Sequence, residues 1–146
     1  MALAFHGTFE HSLDAKNRLT VPARFRAALA GKVFLVRSAD PCISLYPEAT
    51  YTALTEAALA GMNPFSTQAR ELKRMFYGNA TDTELDSAGR VMLTPRHLEH
   101  AGIDREVVIT GAGDCLELWA RSAWEAYDSD LASRASDLTE SLGHPA

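Results

Sequence analysis

Apolar positions along this chain fall into short blocks rather than one long period, and the blocks occur twice. Val33-Phe34-Leu35-Val36 and Val107-Val108-Ile109-Thr110 are runs of β-branched and aromatic residues, which predict strands. Ahead of each run lies a polar knot, Asp14-Ala15-Lys16-Asn17-Arg18 in one half and Asp86-Ser87-Ala88-Gly89-Arg90 in the other. Both knots read Asp-x-x-x-Arg and stand 72 residues apart, each running into apolar residues, Leu19-Thr20-Val21 and Val91-Met92-Leu93. Behind the runs, Cys42-Ile43-Ser44-Leu45-Tyr46 matches Cys115-Leu116-Glu117-Leu118-Trp119 at an offset of 73, and Phe5-His6-Gly7 resembles Phe76-Tyr77-Gly78.

Each knot is a tight turn between two short strands, because Asn17 and Gly89 both take positive φ at little cost. Short helices are expected over 23–29 and 96–101, stopped by Gly31 and Gly102. Between the repeats, residues 47–60 and 64–76 read as two helices, the second carrying a stripe of Phe65, Ala69, Leu72 and Phe76. A further helix is expected from Ala120, with Trp124, Tyr127, Leu131, Ala135 and Leu138 on one face, and a frayed tail over 141–146. Halves of roughly 50 residues bury too little surface to stand alone. They are therefore expected to pack as one pseudo-twofold unit, residues 1–146.

The chain has 146 residues, 47% of them apolar, and a net charge of −5, which is ordinary globular composition. The negative total weighs against nucleic acid until the charges are placed. Over residues 1–37, Lys16, Arg18, Arg24, Arg26, Lys32 and Arg37 face only Glu10 and Asp14, a net of +4 that leaves −9 for the rest. Lys16 and Arg18 beside small Asn17 could bring two cations to phosphates or base edges. The second knot has Ala88 in place of the lysine but keeps Arg90 and Arg96, so the first repeat is the stronger DNA candidate.

Other chemistries fit poorly. Two symmetry-related aspartates invite comparison with a hydrolytic dyad, but an arginine four residues on would hold each carboxylate ionised. Asp14 and Asp86 read instead as turn residues that accept backbone amides. Five histidines and two cysteines show no zinc spacing, and no phosphate loop or nucleophile elbow occurs, so neither metal, cofactor, catalytic residue nor small-molecule substrate is expected. Cys42 and Cys115 suit a reducing cytosol, and with no leader or membrane span expected the protein reads as cytoplasmic.

The residues quoted closely resemble the MraZ family of bacterial transcriptional regulators, whose two repeats carry Asp-x-x-x-Arg, commonly with Lys-Gly-Arg in the first. The likeness covers Phe5-His6-Gly7, 13–26, Phe76-Tyr77-Gly78, 85–102 and 116–124. It implies an α+β, β-rich fold: two pseudo-twofold-related AbrB-like repeats forming a swapped-hairpin, double-split β-barrel with flanking helices. The repeats would span 5–54 and 76–127, with connecting helices over 55–75 and the helix end and tail over 128–146. The resemblance also implies a homo-oligomeric ring, often an octamer, that binds direct repeats in double-stranded promoter DNA upstream of its own division and cell-wall operon. Such a ring would act as a repressor and associate with the nucleoid. By motif, Lys16 and Arg18 would contact DNA, Arg90 would be the second-repeat counterpart of Arg18, and Asp14 would set the turn; the basic segment adds Arg24 and Arg26 to the DNA-binding candidates, and the turn reading adds Asn17, Asp86 and Gly89 to the turn residues. Asn17 stands where the family usually has glycine, and Thr94 and His97 where it often has proline and leucine. An AbrB-type antitoxin or protein-interaction module is the second reading, and the aspartate-dyad hydrolase the third.

Overall fold

Alternation decides the architecture. In β3 (Lys32–Arg37), β4 (Cys42–Pro47), β7 (Glu106–Gly111) and β8 (Leu116–Ala120), every second residue points to one face. Val33, Leu35, Ile43, Leu45, Val107, Ile109, Leu116 and Leu118 are all at most 1% exposed. Adding β1 (Thr8–Ser12) and β5 (Ala80–Glu84) gives a six-stranded antiparallel sheet in the order β1-β7-β8-β4-β3-β5. The computed structural model describes residues 4–143, so Met1–Leu3 and the end of the expected tail, His144–Ala146, lie outside the described residues.

That order is a palindrome under the 72-residue repeat. β1 of the first half pairs with β7 of the second, β5 of the second pairs with β3 of the first, and β4 meets β8 in the middle. The remaining strands, β2 (Arg18–Thr20) and β6 (Arg90–Met92), form their own antiparallel pair, again one from each half. Leu19, Val21, Val91 and Leu93 from this pair and the residues after it join the inner face of the large sheet in one cluster. A leucine-sized side chain removed from water contributes about 1.5–3 kcal/mol. Since strands of each half line this cluster, and Cys42 meets Val108 and Trp119 in a smaller one, neither half has a core of its own. The chain is thus a strand-rich α+β fold of two intertwined repeats.

The helices depart from expectation in instructive ways. α1 (Ala23–Arg26) is a single turn, and α2 (Glu48–Leu59) matches the first expected helix closely. α3 (Thr67–Gly78) begins three residues after Pro64, because Ser66 is its N-cap and accepts the Ala69 amide at 3.2 Å. Phe65 therefore sits ahead of the helix, 83% exposed, and of the expected stripe only Ala69 is buried. Phe76-Tyr77-Gly78 ends α3, whereas Phe5 is extended, buried and bridged to Gly113, so these two triplets are not structural equivalents. The last expected helix is two, α5 (Arg121–Ser133) and α6 (Ala135–Glu140), broken at Arg134 with φ −105° and ψ 6°.

α4 (Pro95–Ala101) carries the two departures from the family pattern, and they belong to one device. The Thr94 side chain accepts the His97 amide at 3.4 Å, and His97 Nδ1 accepts the Thr94 amide at 3.1 Å, closing a capping box in which the histidine replaces the usual Glu or Gln. Gly102, at φ 65°, ends the helix as expected. Burial, then the nearby Arg37 and His100, hold His97 below the usual histidine range. Above pH 6.5 the ring is neutral folded or unfolded; as pH falls below 6.5 the unfolded chain takes up a proton first, so this site costs stability progressively. His97→Leu should flatten that acid-side decline in thermal melts recorded from pH 7.5 to 5, and an unchanged slope would rule His97 out as its source.

Candidate nucleic-acid interface

The Asp-x-x-x-Arg knots fold into the same structure twice. In the first, Asp14 Oδ1 accepts the backbone amides of Lys16 and Arg18, each at 2.9 Å, and Oδ2 accepts Arg18 Nε at 2.7 Å. In the second, Asp86 Oδ1 accepts the amides of Ala88 and Arg90 at 2.9 Å, and Oδ2 accepts Arg90 Nε at 2.8 Å. The turns also close through the backbone, with Asn17 and Gly89 donating to the carbonyls of Asp14 and Asp86 at 3.0 and 2.9 Å. Asn17 at φ 59° and Gly89 at φ 75° supply the left-handed residue, and among the described residues Asn17 alone does so without being glycine.

Neither aspartate is poised to share a proton. The Arg18 amide, aided by the Arg18 guanidinium and the Lys16 amide, holds Asp14 below the usual carboxylate range despite some desolvation. Asp86 is held down in the same way by the Arg90 amide first and then its guanidinium and the Ala88 amide. A dyad needs one carboxyl raised. Two lowered ones, each committed to its own arginine, are orienting groups.

What each aspartate orients is an arginine. Binding through Nε fixes the plane of the guanidinium and leaves its terminal nitrogens without a hydrogen-bond partner among the described residues, on side chains that are 25% and 32% exposed. The β2–β6 pairing then brings both arginines to one surface. Arg18 lies opposite Met92 and Arg90 opposite Thr20, and these four alternate with buried Leu19 and Val91, so all four share the outer face. The turns are further tied across the pseudo-twofold, since the Leu93 amide donates to the Asn17 carbonyl and the Val21 amide to the Gly89 carbonyl, both at 2.9 Å. Thr20 and Met92 are face residues that sequence reasoning missed. Their alternation with Leu19 and Val91 was the available signal.

The other cations of the first segment divide by role. Lys16 is exposed on the turn and has no acidic partner among the described residues. The Arg24 guanidinium lies 5.6 Å from the ring centroids of both Phe9 and Phe25, an aromatic bed that steadies it at the surface. Arg26 is half-buried: its Nε donates to the Val21 carbonyl at 3.0 Å, and its side chain lies over Gly89, where an added Cβ would collide with it. Lys32 pairs with Glu48 at 3.5 Å, and Arg37 donates to Asn79 at 2.6 Å. The +4 of residues 1–37 is thus spread over several sites. At the turns stand Lys16, Arg18 and Arg90, while Arg24 is held apart from them on Phe9 and Phe25.

Among the described residues, no group of three or more His, Cys, Asp or Glu could hold a metal ion, and no helix is long and apolar enough to cross a membrane. Cys42 and Cys115 are buried free thiols, both pushed up to about 12, chiefly by that burial.

The comparisons with known proteins agree with the repeat. The family model described as "MraZ protein, putative antitoxin-like" matches the chain twice, over residues 4–75 and 76–142. A protein of Symbiobacterium thermophilum called Transcriptional regulator MraZ is 34% identical, over 94% of this chain and 99% of its own length. Proteins of the same name from Lactobacillus delbrueckii subsp. bulgaricus and Lactiplantibacillus plantarum are 38% and 37% identical over 94% of this chain, covering 96% and 97% of their own lengths.

Proposed function

This chain belongs to the MraZ family, and from that premise we propose that it regulates transcription by binding double-stranded DNA through its two Asp-clamped arginine turns. It is a regulator and not an enzyme. The observation that carries the reading is the duplicated clamp: two aspartates spend their lone pairs on fixing two guanidinium planes on one outer face. A fixed guanidinium has already lost the side-chain freedom it would otherwise surrender on binding, and its paired donors suit guanine edges and phosphates.

The exchanged strand pairing and the palindromic sheet support an AbrB-like swapped-hairpin, double-split β-barrel. Several copies assemble in a ring, an octamer, and present their turns to direct repeats upstream of the chain's own division and cell-wall operon. Each subunit then makes few contacts, and affinity comes from effective concentration on tandem sites. The protein acts as a repressor, in the cytoplasm and on the nucleoid.

The test is a titration of upstream DNA at two salt concentrations. Specific binding should weaken steeply, by on the order of a thousandfold from 50 to 200 mM salt if about six phosphates are engaged across the assembly. Affinity that ignores salt, or that is equal on unrelated DNA, would overturn the reading. The antitoxin-like wording of the family description supports a second reading, an antitoxin. Reproducible copurification of a toxin that the chain neutralises would favour it.

A further inference from the structure

The outer face of the β2–β6 pair carries four side chains, and two of its corners are unlike. The register sets Arg18 opposite Met92 and Thr20 opposite Arg90, so the arginines occupy one diagonal and Thr20 and Met92 the other. A pseudo-twofold axis passes through the central Leu19–Val91 pair, exchanging Arg18 with Arg90 and Thr20 with Met92. The arginines are close equivalents, clamped by their aspartates at 2.7 and 2.8 Å. Thr20 and Met92 are both exposed but differ in kind, one short and ending in a hydroxyl, the other long and apolar.

Met92 does nothing for the core. It is 55% exposed and stands outside the cluster to which its neighbours Val91 and Leu93 belong. With Arg18 across the ladder and Arg90 two residues back on its own strand, it is an apolar side chain flanked by two cations. The partner that suits it is apolar at one spot and anionic around it. Double-stranded DNA has that pattern, because the C5-methyl of thymine projects into the major groove between phosphate-lined walls, and a two-stranded β-ribbon fits that groove. A second protein copy would have to bring anions to both sides of the same methionine.

We propose that Met92 is a specificity-determining residue, packing its thioether on the C5-methyl of a thymine next to the base edge that Arg18 reads. Opposite residues in such a ladder stand about 5 Å apart at Cβ, and base pairs about 3.4 Å apart along the axis, so the thymine lies within two steps of that base. The flexible thioether adapts its shape to the methyl group. Thr20, at the related corner, is too short for the same contact, so the face has a direction on DNA, as direct repeats require. Lys16 against Ala88 also breaks the symmetry, but through phosphate charge and without regard to sequence. The inference rests on the DNA reading above and deepens it, by naming a base that an otherwise twofold face distinguishes.

Uracil lacks only that methyl group and provides the probe. Duplexes of the upstream DNA carry uracil for thymine at one position of every repeat, each position in turn, and fluorescence anisotropy at fixed salt reads their affinity for the full-length protein. One position per repeat should be sensitive, with a loss of roughly fourfold per engaged repeat, which is what burying one methyl group contributes. Met92→Ala should bind the thymine and uracil duplexes alike, and Met92→Leu, which returns an apolar side chain of similar size, should restore the difference. Thermal melts check that both variants keep the wild-type fold, as an exposed residue outside the core allows. Wild-type binding that no uracil weakens, or a uracil penalty that Met92→Ala keeps in full, would overturn the role of Met92 while leaving the DNA reading standing. A wild-type protein without specific binding to upstream DNA would overturn that reading itself, and the Met92 contact with it.

Discussion

Arg18→Ala should lose most of its operator affinity while keeping its fold and its assembly. The side chain bonds only to Asp14, through Nε, while the backbone amides of Lys16, Asn17 and Arg18 that close the turn do not depend on it, so truncation removes the guanidinium and leaves the turn. A well-placed arginine at a guanine or phosphate contributes about 1–3 kcal/mol. Removing that arginine from a subunit weakens binding roughly five- to hundredfold, and the effect repeats at every engaged subunit. Arg90→Ala should cost less, because its turn carries Ala88 where the first carries Lys16, and the cooperating cation is missing. Filter binding or fluorescence anisotropy on the operator, at fixed salt, measures both. Retained wild-type affinity in a folded Arg18→Ala assembly would remove Arg18 from the interface; equal losses for the two variants would instead mean that both turns meet DNA alike.

Lys16 and Arg18 should differ in kind as well as in size. Lys16 is exposed and free to move, which suits a phosphate and adds to affinity on any sequence. Arg18 is held in one plane, which suits a base edge. Lys16→Ala is therefore expected to lower specific and nonspecific binding together and to flatten the salt dependence, whereas Arg18→Ala should lower the ratio between them.

Much of this was legible in the sequence because the signals were local. The turns follow from Asp-x-x-x-Arg with a left-handed residue at the fourth position, and the core strands from period-2 alternation, and both need only neighbours a few residues apart. Three features were not legible, each for the same reason. That β1 pairs with β7 and β5 with β3 is decided across the whole chain, and no local pattern distinguishes exchanged partners from those within one half. That both arginines reach one face depends on β2 lying against β6. That the Arg26 side chain lies over Gly89 of the other turn is decided between residues 63 positions apart. Cap chemistry also moves one boundary: Ser66 and not Pro64 caps α3, which leaves Phe65 ahead of the helix and outside the stripe.

Gly89→Ala should destabilise the protein, even though Gly89 contributes no side chain to any contact. Two costs add. At φ 75° an alanine sits in the left-handed region, at about 1–2 kcal/mol for an L residue. Its Cβ would also collide with Arg26 Nε, so Arg26 must move and give up its bond to the Val21 carbonyl, roughly another 1 kcal/mol. A total of about 2–3 kcal/mol lowers the melting temperature of a chain this size by roughly 5–10 °C. The two costs separate in a cycle: with Arg26→Ala in place, Gly89→Ala should lose its steric part and keep the conformational one. Asn17→Gly, at the equivalent position, should be nearly neutral, because asparagine already tolerates that conformation. Since the Gly89 carbonyl accepts the Val21 amide from the first half, a distorted second turn also shifts the strand that carries Arg18. Gly89→Ala is accordingly expected to weaken DNA binding more than Arg90→Ala does. Should operator affinity survive while stability falls, the two turns act on DNA independently, and the backbone bonds that join them serve the fold alone.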